Sequence, residues 1–218
     1  QTLYPHVADR TFTDIDLLVP QAAMESIGEA LCDMGMEPQR YGPLKHDRDL
    51  YGETLFIMHT PAGVDVHVDL HWNLVNSPAL QKGISIEYDD LVLNGELGLE
   101  SQLLIAIVHG STHHQFDRLR TLIDLMQVLR KGGNTFASPM TTERLHRTQT
   151  AAALATGCKL LQRLFGYEGG MNLLEALGLP APSWLDQRLL TPATLLQPHP
   201  SSIATLRKKI YRQRLKTH

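Results

Sequence analysis

Asp14 and Asp16 stand two residues apart at the head of the apolar run Ile15-Asp16-Leu17-Leu18-Val19. Side chains alternate along a strand, so both carboxylates project to one face while Ile15 and Leu17 take the other. Two like charges so close call for a neutraliser, and Mg²⁺ or Mn²⁺, which prefer hard oxygen ligands, are suited to it. The competing reading is a hydrated strand end, and a pattern as short as D-x-D does not choose between them. A second run, Val64–Trp72, alternates almost perfectly, with Asp65, His67, Asp69 and His71 on one face and Val64, Val66, Val68 and Leu70 on the other. Either Asp69 or Asp65 would supply the third carboxylate of a site begun by Asp14 and Asp16. Three carboxylates holding two metal ions can clamp a triphosphate and activate an attacking hydroxyl. Positioning and charge neutralisation then carry most of the barrier reduction.

A third group lies in the long helical pattern Leu99–Leu129. His109, His113, Asp117, Arg120 and Asp124 recur at spacings of four, four, three and four, which predicts one shared helical face. Such a stripe can meet a nucleotide's phosphates or an acceptor, with Arg118 or Arg120 neutralising a leaving pyrophosphate. It also reads as a solvated face with His109 bonded at an interdomain contact. Histidines four apart are a zinc spacing too, although Gly110 stands where a metalloprotease helix carries its Glu.

The elements that must hold these residues follow from periodicity. Thr11–Val19 reads as a strand, and the helix after Pro20 carries Ala23, Ile27, Ala30, Leu31 and Met34 and stops at Gly35. Glu37–Tyr41 and Leu55–Thr60 are β-like, and Pro61-Ala62-Gly63 is a hairpin turn into Val64–Trp72. The Leu99–Leu129 helix is interrupted near Gly110 and ends at Gly132-Gly133; further helices are predicted over 142–165, 171–177 and 204–216, with a Pro-rich loop over 180–200. A β-rich first half before an all-helical second half argues an α+β fold, with one unit over 1–97 and a helical unit over 98–218.

Composition narrows the function classes. A chain of 218 residues with net charge −3 suits one domain or two small ones and gives no electrostatic case for nucleic acid as a partner. No apolar run reaches the roughly 18 residues of a membrane span, so the expectation is cytoplasmic with no membrane partner. Cys32 and Cys158 read as small buried hydrophobes in a reducing compartment. The basic tail Arg207–Lys216 reads as a solvated terminal helix.

Arg10-Thr11-Phe12-Thr13-Asp14-Ile15-Asp16-Leu17-Leu18-Val19 resembles the D-x-D strand of the polymerase-β-type nucleotidyltransferase superfamily. More narrowly, the chain resembles an uncharacterised bacterial nucleotidyltransferase group. In that group an Arg precedes the D-I-D-L-L-V strand, a D-x-H-W strand end follows, and a helix carries H-G-x-x-H, then R-L and an Asp. Here those are Arg10, Asp69-Leu70-His71-Trp72, His109-Gly110-Ser111-Thr112-His113, Arg118-Leu119 and Asp124, and the similarity runs from about Leu3 to about Leu129. The resemblance implies a nucleotidyltransferase-like mixed sheet with flanking helices, followed by a helical domain. It implies transfer of a nucleoside monophosphate from an NTP to an unidentified acceptor, with Mg²⁺ or Mn²⁺ and release of pyrophosphate. Asp14 and Asp16 would be the metal ligands and Asp69, at the D-x-H-W position, the third carboxylate. Arg10, His71, His109, His113 and Arg118 would contact the nucleotide. The superfamily's Gly-rich phosphate-cradling turn has no counterpart before Thr11, which, with the absent initiator Met, suggests a truncated chain. Two alternatives accompany this reading: a degenerate nucleotide-binding or toxin–antitoxin-like module of the same fold, and a zinc hydrolase built on His71, His109 and His113.

Overall fold

The computed structural model describes residues 3–10, 13–39, 52–93, 95–196 and 201–216. Four strands form one mixed sheet: β1 (Ile15–Leu18), β2 (Glu37–Pro38), β3 (Glu53–His59) and β4 (Asp65–His71), in the order β1-β4-β3-β2. β4 pairs parallel with β1 and antiparallel with β3, and β3 pairs antiparallel with β2. A two-stranded hairpin, β5 (Val92–Leu93) with β6 (Glu96–Leu97), lies apart from it. The architecture is α+β, as the sequence predicts.

The sheet separates two apolar layers. One face carries Val19, Phe56, Val68 and Leu70 against helix α1 (Met24–Asp33), whose Met24, Ile27 and Leu31 recur every three or four residues and turn inward together. The other face carries the acids and histidines, and past the strand ends the larger core begins. Val75, Leu80, Ile84, Ile86 and Leu91 pack there with the helices Leu99–Val108, Leu119–Gly132 and Ala151–Phe165.

Several elements depart from the periodicity reading. The pattern over Leu99–Leu129 is not one helix: Leu99–Val108 runs into a π-helical turn, His109–His113, and the chain reverses before Leu119–Gly132. The reversal is made by Gln115 and Phe116, both left-handed at φ 44° and 56°. Phe116 is wholly buried, with its amide donating to the Gly110 carbonyl at 2.7 Å. The expected 142–165 helix is likewise two, Pro139–Arg147 and Ala151–Phe165, broken where Gln149 takes φ 55°. Helices Trp184–Leu189 and Pro192–Leu195 occupy part of the expected loop. The tail helix Ser202–Arg214 is not merely solvated. Its Tyr211 is buried, Lys208 pairs with Asp117 at 3.0 Å, and Arg214 pairs with Asp186 at 2.7 Å. Cys158 is buried as expected, whereas Cys32 is exposed on α1. The β-like run at Glu37–Tyr41 lies partly outside the described residues; within them, β2 is its first two residues. Among the described residues no helix is long and apolar enough to cross a membrane.

Candidate functional site

The parallel pairing of β1 with β4 assembles the site. Its register sets Asp16 beside Asp69 and Leu18 beside His71, and the β3–β4 register sets Glu53 beside His71. All of these residues share the face opposite α1. One ligand atom each from Asp16, Asp69 and His71 lies within 4.8 Å of the others, the group among the described residues best placed to hold a metal ion. Asp14, exposed just before β1, stands outside that group. Asp65, at the far end of β4, is engaged with His59 Nδ1 at 2.8 Å.

Electrostatics differentiate the three. His71 is buried, and its Nε2 donates to Asp16 Oδ1 at 3.0 Å. Its Nδ1 lies 3.4 Å from Glu53 Oε2, within ion-pair reach but outside hydrogen-bond geometry. Burial opposes a charge on this imidazole, yet the bond to Asp16 and the carboxylates of Glu53, Asp16 and Asp69 together hold its pKa above the ordinary value. The bond from His71 in turn holds Asp16 below the usual carboxylate range, against the effect of burial. Asp69 moves the other way: burial raises its pKa, His71 opposes, and Glu53, Asp16 and Asp14 add to the rise. Two carboxylates with unlike proton affinities therefore stand side by side, a pattern common where one group binds charge and its neighbour accepts a proton. The oxygen pair fits a hard divalent cation. His71, whose Nε2 is occupied by Asp16, orients that carboxylate.

The π turn faces this cluster. His109 and His113 stack with ring centroids 5.5 Å apart, and His113 Nε2 donates to the Leu74 carbonyl at 2.8 Å. Burial pushes His109 down to about 4 and lowers His113, so both imidazoles are neutral near pH 7. The five-residue stripe expected on one helix is dispersed by the reversal at Gln115-Phe116. His109 and His113 turn towards the sheet, Asp117 turns to Lys208, and Asp124 turns to Arg10. Among the described residues His71, His109 and His113 do not come together as a three-ligand group; His71 bonds to Asp16 and His113 to the Leu74 carbonyl.

Arg10 grips Asp124. Its Nε lies 3.1 and 3.2 Å from the two carboxylate oxygens and its Nη2 3.1 Å from Oδ2, while the Tyr4 hydroxyl donates to the same group. This anchor ties the segment before β1 to helix Leu119–Gly132. Arg118 is exposed at the N-terminal cap of that helix. Glu53, which completes the acidic surround of His71, is missed by sequence reasoning: the predicted strand begins at Leu55, two residues late, and nothing else in the chain marks Glu53.

A mixed sheet whose parallel strand pair brings two aspartates and a histidine together, flanked by helices, presents three ligand atoms within reach of one metal ion. The chain matches the model of the uncharacterised nucleotidyltransferase family over residues 1–166, and it belongs to that family. Neither the curated proteins nor the solved structures contain a match.

Proposed function

We propose that the protein moves a nucleoside monophosphate from an NTP to an acceptor hydroxyl and releases pyrophosphate, with Asp16 and Asp69 holding Mg²⁺ or Mn²⁺ and Asp14 assisting. Family membership supports nucleotidyl transfer in general. The single observation that carries the finer reading is the juxtaposition of Asp16, Asp69 and His71 on one sheet face. When bound, the cation supplies neutralisation of the triphosphate and a lower pKa for the attacking hydroxyl. The protein's own groups do the rest. His71 fixes Asp16 through the 3.0 Å bond, which keeps that carboxylate ionised. Asp69, set beside Asp16 by the parallel register, takes the hydroxyl proton. Arg118 and Arg10 are assigned to the phosphates, Arg10 acting from its anchor on Asp124.

The test is pyrophosphate release by the full chain with each NTP and Mg²⁺ or Mn²⁺, beside Asp16→Asn. Release by the parent that disappears in the variant is expected. Release that persists unchanged in Asp16→Asn contradicts the assignment.

A further inference from the structure

The acidic sheet face opens onto a cavity of about 250 Å³, with Asp16 and His71 in one wall and His109 and His113 in another. The remaining walls are aliphatic, among them Leu18, Leu74, Leu91 and Val108, with Leu97 at the rim. Three properties restrict what fits. Among the described residues no Lys or Arg lines the cavity, so away from the Asp16 end nothing in its walls neutralises a phosphate or another anion. Apart from the imidazoles no aromatic ring among the described residues lines it, so they offer no stacking surface for a nucleobase. Its volume falls below the roughly 300–1,000 Å³ of pockets that hold whole drug-sized ligands, so it admits one ring or a short branched chain.

Its polar end is specific. His109 Nε2 is buried and has no hydrogen-bond partner among the described residues. Leaving such a group unsatisfied is costly, and a ligand with a matching group relieves it. His113 commits Nε2 to Leu74, which leaves Nδ1 as an acceptor. Burial keeps both rings uncharged, so they suit a neutral partner.

Position then separates acceptor from nucleotide. An attacking oxygen must come within about 3–3.5 Å of the phosphorus. A group walled by Asp16 sits at that reacting end, whereas an NTP's base hangs beyond its ribose.

We propose that this cavity seats the acceptor, a neutral hydroxyl on an apolar carrier of about one ring, the phenol class, with His109 as its hydrogen-bonding positioning residue. The proposal rests on the nucleotidyl-transfer reading above. In the step, the hydroxyl oxygen forms a bond to the α-phosphorus while the bond from that phosphorus to the α–β bridging oxygen breaks. The bond's electron pair leaves with pyrophosphate, and the hydroxyl proton passes to Asp69. The product is a phosphodiester between the carrier and the nucleoside.

Binding of p-cresol and of toluene to the full chain, followed by ligand-observed NMR, tests this without turnover. Saturable binding is expected, with p-cresol preferred over toluene by about three- to tenfold, the worth of one hydrogen bond. His109→Phe keeps the ring and removes the nitrogens, so it should still bind toluene but lose the preference; a merely structural role for His109 would leave the preference intact. Leu97→Trp, at a rim position 48% exposed and therefore tolerant of bulk, should weaken both ligands at least tenfold. Unchanged p-cresol binding in Leu97→Trp, a preference that survives His109→Phe, or displacement of p-cresol by adenosine or glucose overturns the assignment. Metal-dependent NTP binding, measured on the same samples beside Asp69→Asn, separates the two readings. If it is absent while the cresol preference holds, nucleotidyl transfer falls. If it is present without cresol binding, the acceptor assignment falls.

Discussion

His109 makes the fold acid-sensitive by a calculable amount. Burial holds its folded pKa at about 4 against an ordinary 6.5, with His113 and His114 lowering it further; Asp16 opposes that shift and Arg10 reinforces it. The folded protein therefore binds the proton less tightly than the unfolded chain does. Stabilisation from the neutral ring is fully present above pH 6.5 and is lost as pH falls from there towards 4. Between pH 7.5 and 5.0 the loss from this one group works out at about 2 kcal/mol. His71 has the opposite sign: its pKa is raised, so its contribution is present at low pH and lost as pH rises through the folded value. A comparison with His109→Gln cancels that background. Urea unfolding at pH 7.5 and 5.0 should show the wild-type midpoint falling further than the variant's, by on the order of 1 M. Parallel midpoints in the two proteins would refute a buried neutral His109.

Asp124→Ala leaves Arg10 and Tyr4 without their shared partner; because Arg10 is 30% exposed, the loss should be about 2–3 kcal/mol, below that for a fully buried pair, and urea midpoints measure it. Gly110→Ala would place a Cβ 2.7 Å from Phe116 Cε1 and should destabilise by about 1–3 kcal/mol, with Phe116→Leu relieving part of the loss in the double variant. Burial pushes the Cys158 thiol up to about 12 while Cys32 is exposed, so the native chain should react with a thiol reagent at Cys32 alone and at both cysteines once unfolded.

The site's strands were legible because a period of two is hard to disguise. Asp16, Asp69 and His71 fall on one face by alternation alone, and a parallel register then makes them neighbours. The choice of Asp69 over Asp65 came from the D-x-H-W match, and the structure sets Asp69, not Asp65, beside Asp16. The break in the histidine stripe is not legible in the sequence because the left-handed pair Gln115-Phe116 contains no Gly or Asn to announce a reversal. Its cause is tertiary: the buried Phe116 ring lies against Gly110 and Gly157, which leave room for it. The Arg10–Asp124 anchor spans 114 residues, and no local pattern carries such a pairing. Glu53 opens β3, whose run Leu55-Phe56-Ile57-Met58 is apolar at every position and so shows no period of two, and its register opposite His71 emerges only from the sheet.

Calorimetric titration of the full chain with each NTP, in Mg²⁺ and in EDTA, for the wild type and Asp69→Asn, bears most directly on the metal-dependent transferase assignment, since it needs no acceptor. NTP binding should require the metal and be weakened at least tenfold in Asp69→Asn. Binding of equal strength with and without metal, or equal in the two proteins, would contradict the assignment.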